Sequence, residues 1–234
     1  MKKNLLSIDW DYFIYTRNCL GSCLENKRSL IDFWYKRYIQ AINRGEDIQK
    51  AFQLSSDLHK FWPKIKKYFK FAKNIKVYVS ASHALSYKIA EENNCKAVYL
   101  FDSDADLGYG GLSSLNFEVN CSNWLGKLLK DKKTEEAYIF YSPYTMEKPD
   151  YFKPMNNIYK IKSYCNFNDL DGKCIKVSAI HICRSGAWTP PWLDKKFYKF
   201  VDALGLPYKL VNCPERKWDP EHISLSEKIN YLMM

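Results

Sequence analysis

The chain lacks a long uninterrupted apolar run, which argues against a membrane-spanning protein. None of its apolar segments reaches the roughly 18 residues that a transmembrane helix requires. The first residues, Met1-Lys2-Lys3, are followed by only a few apolar residues before Asp9, and a secretory signal peptide needs a longer apolar stretch. We therefore expect a cytoplasmic protein without membrane contact.

The chain also lacks any C-x-x-C pair among its eight cysteines, so a structural zinc site of the usual spacing is not expected. Cys19 and Cys23 lie four positions apart and are interpreted as ordinary reduced thiols. A disulfide framework is improbable in a chain of 234 residues without a secretory signal. The cysteines therefore indicate neither a zinc domain nor an oxidised secreted domain.

Basic residues outnumber acidic ones, and the formal net charge is +10. Such a charge permits binding to nucleic acid or to an acidic peptide. The lysines are dispersed, however, and their densest cluster has helical spacing, which favours a solvated helix face. A nucleic-acid interface is therefore not expected. That cluster consists of Lys64, Lys66, Lys67, Lys70 and Lys73.

Short apolar runs alternate with amphipathic segments, which predicts one three-layer α/β/α domain over residues 1–234 with a mainly parallel sheet. Several runs are apolar throughout, as expected for strands covered on both faces. The predicted strands are Leu5–Asp9, Ile75–Ser80, Ala97–Asp102, Ala137–Tyr141, Ile158–Ile161, Ile175–Ile182 and Tyr208–Val211. The predicted helices are Ser29–Ile42, Glu46–Ala72 with a bend near Pro63, His83–Glu92, Ser122–Lys130 and Asp194–Leu204. The loop Ser142–Asn157, with three prolines, is interpreted as a covering segment.

Five aspartates directly follow two of the predicted buried strands. Carboxylates so close together repel one another and are costly to bury, and a divalent cation is the usual remedy. In open α/β sheets, ligands bind beyond the carboxyl ends of the strands. His83 follows the predicted strand Ile75–Ser80, so we expect it at the same edge as the aspartates. The sequence therefore predicts a metal site at one edge of the sheet. Its candidate ligands are Asp9, Asp11, His83, Asp102, Asp104 and Asp106.

Two of these motifs have other interpretations when taken alone. Asp102-x-Asp104-x-Asp106 matches the start of an EF-hand loop, but Leu107 stands where that loop requires glycine. Asp9-x-Asp11 resembles the first motif of magnesium-dependent phosphatases, in which Asp9 would be the nucleophile. Those enzymes usually carry Thr or Val where this chain has Phe13. The phosphatase remains an alternative hypothesis, and a non-catalytic binding protein on the same fold is another.

All the motifs together resemble those of the arginase-like metallohydrolases, or ureohydrolases. That family carries a histidine after one strand, a D-x-H-x-D run after a second and an S-x-D-x-D run after a third. The matching segments here are Ser82-His83, "LFDSDADLG" and "LSIDWDYF". The segment "CSNWLG", with Asn123, is similar to the family's amino-acid-binding loop. The order of the motifs, together with "CRSGAWTPPW", resembles a bacterial arginase-related family that includes peptide arginases.

The resemblance implies an arginase-like fold that holds two Mn²⁺ ions and hydrolyses a guanidino C–N bond. It implies that Asp9 and Asp102 bridge the ions, that His83 and Asp106 complete one site, and that Asp11 and Asp104 complete the other. Asp104 and Asp106 are also predicted as catalytic residues. The implied substrate is arginine in a ribosomal precursor peptide, converted to ornithine and urea, or a small guanidino compound. The predicted substrate-binding residues are Asn123, Arg184 and Ser185.

The chain departs from the family pattern at two positions. Asp104 replaces the central histidine of D-x-H-x-D, and carboxylate oxygens also suit Mn²⁺. Leu125 stands where the family usually has a proton-shuttling histidine, and the sequence shows no glutamate that would orient the guanidinium. His181 lies inside an apolar run and is interpreted as a core histidine with satisfied hydrogen bonds.

Overall fold

A computed structural model of the protein describes residues 2–16, 30–170 and 174–233. The described strands are β1 (Asn4–Asp9), β2 (Ile14–Thr16), β3 (Phe52–Leu54), β4 (Phe69–Ser80), β5 (Ala97–Asp102), β6 (Glu136–Tyr141), β7 (Lys160–Tyr164), β8 (Ile175–Cys183) and β9 (Lys209–Val211). The helices are α1 (Leu30–Asn43), α2 (Ile48–Ala51), α3 (Phe61–Tyr68), α4 (Leu85–Glu92), α5 (Trp124–Lys130), α6 (Lys153–Asn156), α7 (Asp194–Asp202) and α8 (Leu225–Met233). In this part of the chain, no helix is long and apolar enough to cross a membrane.

Seven strands form one sheet in the order β7-β6-β5-β1-β8-β4-β9, and every pair of neighbours in it is parallel. Side chains of β5 alternate between two apolar cores: Tyr99 and Phe101 face one, and Val98 and Leu100 face the other. Helices α1, α3 and α7 cover the first core, whereas α4, α5 and α6 cover the second. This arrangement confirms the predicted three-layer α/β/α fold.

The prediction of one bent helix over Glu46–Ala72 is wrong. That range contains α2, β3, a short 3₁₀ helix and α3, and its last residues already belong to β4. Phe69 and Phe71 pair with Ile175 and Val177 of β8, so contact with a strand distant in the chain decides their conformation. Pro63 lies in the first turn of α3, where its missing N–H leaves no helical hydrogen bond unmade.

Smaller differences lie at the ends of elements. The predicted strand Ile158–Ile161 is observed at Lys160–Tyr164, and the sequence did not predict the antiparallel pair β2–β3 or α8. Ser29, Cys19 and Cys23 lie outside the described residues. These differences leave the predicted ligands in place, because β1, β4 and β5 end close to where the apolar runs end.

Candidate metal centre

The carboxyl ends of β1 and β5 carry the same local turn. The Oδ1 atom of Asp9 accepts a hydrogen bond from the backbone N–H of Asp11 at 3.0 Å, and Oδ1 of Asp102 accepts one from the N–H of Asp104 at 3.0 Å. Each D-x-D repeat therefore uses one carboxylate oxygen of its first aspartate to close the turn. The Oδ2 atoms of Asp9 and Asp102 both face His83.

His83 lies beyond the end of β4 and faces three carboxylates through one ring nitrogen. Its Nδ1 atom lies 3.2 Å from Asp9 Oδ2, 2.9 Å from Asp102 Oδ2 and 3.0 Å from Asp106 Oδ2. Within the described residues, neither His83 Nδ1 nor Asp102 Oδ2 has a hydrogen-bond partner, although both atoms are fully buried. Polar atoms that converge without bonding one another fit a bound cation, because burial without a partner is otherwise costly. Asp9, His83 and Asp102 therefore form a buried group that could hold a metal ion.

A second group of ligand atoms adjoins the first and shares Asp102 with it. Asp11, Asp102 and Asp104 bring one carboxylate oxygen each to within 4.8 Å of one another. The backbone N–H of Ser103 donates to Asp11 Oδ1 at 3.3 Å, which ties the turn after β1 to the turn after β5. The structure thus brings all six predicted ligands together, with Asp102 common to both groups.

Helix α5 holds Asp106 in its position. Asp106 has a φ of +52°, a strained value for a residue with a side chain, and its carbonyl oxygen accepts hydrogen bonds from the N–H groups of Leu125 and Gly126. The indole N–H of Trp124 donates to Asp106 Oδ2. Gly126 is required at this contact, since a Cβ atom there would lie 2.4 Å from the carbonyl oxygen of Leu107. The "CSNWLG" segment therefore supports the cluster through packing and hydrogen bonds.

The site concentrates negative charge away from water. Burial, followed by repulsion between neighbouring carboxylates, raises the pKa of Asp11 and of Asp102 well above the usual range, and it raises the pKa of Asp104 to about 6. Burial alone would lower the pKa of His83, but its contacts with Asp102 and its other carboxylate neighbours outweigh burial and raise it well above its ordinary value. A divalent cation would relieve this repulsion and favour the ionised carboxylates.

Glu147 is a further acidic residue at the site that the sequence analysis did not find. Its Oε1 accepts a hydrogen bond from the N–H of Ala105 at 2.8 Å, and its Oε2 accepts one from the hydroxyl of Tyr109 at 2.6 Å. Burial, with repulsion from Asp104, raises the pKa of Glu147 to about 7. Its only signal in the sequence was its position in the proline-containing loop Ser142–Asn157.

That loop is fastened to both aspartate turns. The N–H of Ser142 donates to the carbonyl oxygen of Asp102 at 2.8 Å, and the Ser142 hydroxyl donates to the carbonyl oxygen of Tyr12 at 2.8 Å. The Thr145 hydroxyl donates to the carbonyl oxygen of Ser103. The interpretation of this loop as a covering segment therefore agrees with its contacts, and these contacts position Glu147.

The structure gives other partners to Asn123 and Arg184, two of the three predicted substrate-binding residues. Asn123 is buried, and its amide accepts from the N–H of Asn120 at 2.9 Å and donates to the carbonyl oxygen of Glu118 at 3.0 Å. These bonds shape the loop before α5 and occupy the polar atoms that a substrate would need. The contact between Asn123 and a substrate stays a prediction.

Arg184 and Ser185 are also buried, and the Arg184 side chain is only 1% exposed. The Arg184 guanidinium contacts Asp194 Oδ2 at 3.3 Å and donates to the carbonyl oxygen of Pro214 at 2.7 Å. Arg216 pairs with the same aspartate. This buried ion pair fixes the start of α7, so Arg184 has a structural partner where the sequence analysis predicted a substrate.

His181 is fully buried, and its two ring nitrogens contact the hydroxyls of Ser80 and Ser86 at 2.8 and 2.5 Å. The interpretation of His181 as a core histidine with satisfied hydrogen bonds is therefore confirmed.

The chain matches no protein-family model, no curated protein and no solved structure. A function must therefore be argued from the geometry and chemistry of the cluster itself.

Proposed function

We propose that this protein is a manganese-dependent hydrolase that acts on the C–N bond of a guanidino group. The observation that carries this proposal is the buried group Asp9, His83 and Asp102, which shares Asp102 with the adjoining group that includes Asp11 and Asp104. Five carboxylates suit a hard divalent cation such as Mg²⁺ or Mn²⁺, and the resemblance to the arginase-like metallohydrolases favours Mn²⁺. Two groups with one common carboxylate would hold two ions.

When bound, two such ions would acidify a water molecule and polarise the group that it attacks. The residues of this chain would hold the ions and position the substrate. Asp9, Asp102 and His83 hold the ligand atoms in a dry environment. Asp104 is the most accessible candidate ligand, since it is the most exposed member of its group, and its carboxylate interacts with that of Glu147. A substrate would therefore enter between Asp104 and Glu147.

Glu147 favours a cationic substrate at this entrance. Its oxygens accept hydrogen bonds from Ala105, Tyr109 and Tyr141, and a carboxylate has about four acceptor sites, so one remains for a donor on the substrate. The neighbouring Tyr109 ring is 54% exposed and offers an aromatic face beside that carboxylate. A planar guanidinium can pair with a carboxylate and stack on an aromatic ring at the same time. Glu147 would then orient the guanidinium, a role for which the sequence alone offered no residue.

Exposed apolar side chains around the entrance favour arginine within a peptide over free arginine. Met146, next to Glu147, is 80% exposed, and Tyr144 and Tyr15 contact each other with ring centroids 5.7 Å apart. A free amino acid would use none of this surface, whereas a peptide could pack side chains against it. The proposed reaction therefore converts peptidyl arginine to ornithine with release of urea.

The alternative, a magnesium-dependent phosphatase, requires Asp9 to attack phosphorus. Asp9 is 2% exposed, its Oδ1 accepts from the N–H of Asp11, and its Oδ2 lies 3.2 Å from His83 Nδ1. Both oxygens thus face other members of the cluster and are buried away from solvent, which favours a ligand over a nucleophile. A non-catalytic binding protein would need neither the metal nor Glu147.

The test is incubation of the purified, Mn²⁺-loaded protein with arginine-containing peptides, followed by mass spectrometry and a urea assay. Hydrolysis to ornithine lowers the peptide mass by about 42 Da per arginine, the CN₂H₂ unit that departs in the hydrolysis. We expect that loss with the unaltered protein and with Asp150→Asn, an exposed aspartate paired with Lys153. We expect no loss with His83→Ala or Asp102→Asn.

Two outcomes would contradict the proposal. Release of phosphate from p-nitrophenyl phosphate, lost in Asp9→Asn but kept in His83→Ala, would establish the phosphatase. Absence of bound metal after dialysis against Mn²⁺ would favour the binding protein.

A further inference from the structure

A chain of buried hydroxyl and imidazole groups leads away from the ring nitrogen of His83 that does not face the carboxylates. His83 Nε2 lies 2.8 Å from Ser7 Oγ, and Ser7 Oγ lies 2.8 Å from Ser86 Oγ. Ser86 Oγ contacts His181 Nδ1 at 2.5 Å, and His181 Nε2 contacts Ser80 Oγ at 2.8 Å. All five side chains belong to buried residues. The chain of hydrogen bonds therefore leads from the cluster through buried side chains of the sheet and of α4.

The far end of this chain fixes the direction of every hydrogen bond in it. Ser80 Oγ donates to the carbonyl oxygen of Ser82 at 2.8 Å, and a carbonyl oxygen can only accept. A hydroxyl carries one proton, so Ser80 has none left for His181. The 2.8 Å contact between them therefore requires that His181 donates through a proton on Nε2.

The remaining bonds follow one by one. His181 is fully buried and its two ring nitrogens contact only neutral serine hydroxyls, so no carboxylate would balance a second proton and the ring carries a single one. With that proton on Nε2, Nδ1 must accept from the hydroxyl of Ser86. Ser86 must then accept from Ser7, and Ser7 must accept from Nε2–H of His83.

We propose that the hydrogen-bonded chain of Ser80, His181, Ser86 and Ser7 holds a proton on Nε2 of His83 and so keeps Nδ1 as its metal-binding nitrogen. This inference rests on the proposed metal centre. The four residues are positioning residues, since they act only through His83.

The chain of hydrogen bonds is needed because the carboxylates by themselves favour the opposite arrangement. Three carboxylate oxygens lie within 3.2 Å of His83 Nδ1 and attract a proton to that atom. A neutral ring that kept its proton on Nδ1 could not bind a cation there. With Nε2–H committed to Ser7, the proton that leaves when a cation binds is the one on Nδ1.

The first test measures the tautomer of His181 directly. The protein has four histidines, and His59 and His222 are exposed, so substitution of those two identifies the signals of the buried pair. Long-range ¹H–¹⁵N correlation spectra of the metal-free protein should show His181 neutral and protonated on Nε2. A proton on Nδ1 of His181 would reverse the chain of hydrogen bonds and overturn the inference. Because this experiment uses unaltered buried residues, it remains decisive if a buried variant fails to fold.

The second test measures Mn²⁺ affinity by titration calorimetry in Ser86→Ala, which breaks the chain by removing one hydroxyl. We expect affinity about tenfold weaker, as is usual when a partner of a metal-binding histidine is lost. Ser86→Thr, which restores the hydroxyl, should recover part of the loss. Ser178→Ala is the matched control, since it removes a serine hydroxyl that donates to the carbonyl oxygen of Asn4 outside the chain of hydrogen bonds.

The two proposals fail in different ways. If the unaltered protein binds Mn²⁺ and Ser86→Ala binds it equally well, the inference about His83 is wrong and the metal centre stands. If the unaltered protein binds no Mn²⁺, the metal centre itself is wrong.

Discussion

Trp124 donates its indole N–H to Asp106 Oδ2, the same oxygen that lies 3.0 Å from His83 Nδ1. The first residue of helix α5 therefore holds the carboxylate of Asp106 against the imidazole. Trp124 is fully buried, so its ring contributes to the core by packing and its N–H contributes a hydrogen bond to Asp106.

Trp124→Phe removes the donor but keeps an aromatic ring in the core. We expect Mn²⁺ affinity to fall by about tenfold, because partners of ligating groups commonly contribute a factor of that size. Trp62→Phe is the matched control, since buried Trp62 donates to the carbonyl oxygen of Phe200 away from the aspartate cluster. Each variant should lose about 1 kcal/mol of stability for its hydrogen bond, and titration calorimetry should show weaker binding only in Trp124→Phe.

The shared position of Asp102 predicts how many ions each variant retains. Asp102 belongs to both groups of ligand atoms, whereas Asp11 belongs only to the second. We expect Asp102→Asn to lose both ions and Asp11→Asn to retain one, as measured by elemental analysis of dialysed protein. Asp150→Asn should retain the full content. Equal metal content in Asp102→Asn and in the unaltered protein would contradict the predicted arrangement.

The raised pKa values predict opposite effects of pH on the metal-free and the metal-bound protein. The pKa of Asp104 rises from 3.8 to about 6, and that of Glu147 rises from 4.5 to about 7, chiefly through burial. An acid whose pKa is raised on folding stabilises the folded state below its unfolded pKa, and that contribution is lost as the pH rises through the folded pKa. In EDTA, we expect this part of the stability to be lost between about pH 4 and pH 7.

With Mn²⁺ present the trend should reverse, because ligands must be deprotonated before they bind a metal. Stabilisation by Mn²⁺ should therefore grow over the same pH range. Thermal unfolding from about pH 4 to pH 8, with and without Mn²⁺, measures both trends. The double variant Asp104→Asn/Glu147→Gln should show a flatter profile in EDTA and little stabilisation by Mn²⁺. If the profiles of the variant and the unaltered protein coincide, these two groups do not control the response.

At Gly126, substitution by alanine is expected to lower the free energy of unfolding, which is the opposite of its usual effect inside a helix. Ala in place of Gly inside a helix normally stabilises a protein by about 0.5–1 kcal/mol. At Gly126 the new Cβ would lie 2.4 Å from the carbonyl oxygen of Leu107, so we expect Gly126→Ala to cost about 1–3 kcal/mol as an overpacked contact. Chemical denaturation measures this, with Gly110→Ala as the milder control, where the nearest atom lies 3.2 Å away. An unchanged or raised free energy of unfolding in Gly126→Ala would contradict the predicted contact.

Variants of the buried pair Arg184 and Asp194 distinguish a structural role of Arg184 from a role in substrate binding. Asp194→Asn would leave Arg184 and Arg216 buried with a neutral partner, so we expect a loss of about 3–5 kcal/mol in unfolding free energy. Arg184→Met should cost less, since Asp194 keeps Arg216. Neither variant should change Mn²⁺ affinity. If Arg184→Met instead leaves stability intact and raises the KM for a peptide, Arg184 binds substrate.

Local sequence was sufficient to predict the strands of the main sheet and the side chains that gather at its edge. The continuous apolar runs of β1 and β5 predict strands buried on both faces, and the D-x-D repeat at each end predicts the turns that follow. The prediction failed at the end of the predicted helix Glu46–Ala72, where apolar and basic residues alternate and could form either a helix or a strand. Residues 69–72 became a strand because Phe69 and Phe71 pair with β8, a contact more than 100 residues away in the chain.

The chain alone determined which residues can bind a cation, because carboxylates at the ends of buried strands need a partner wherever the strands lie. Only the tertiary structure decided how those residues are supported. The order β1-β8-β4 brings Ser7, Ser80 and His181 into contact, and the loop after β6 carries Glu147 to the entrance. These contacts are non-local, so no periodicity or spacing in the sequence encodes them. They depend on strand order and on side-chain packing, which exist only in the folded chain.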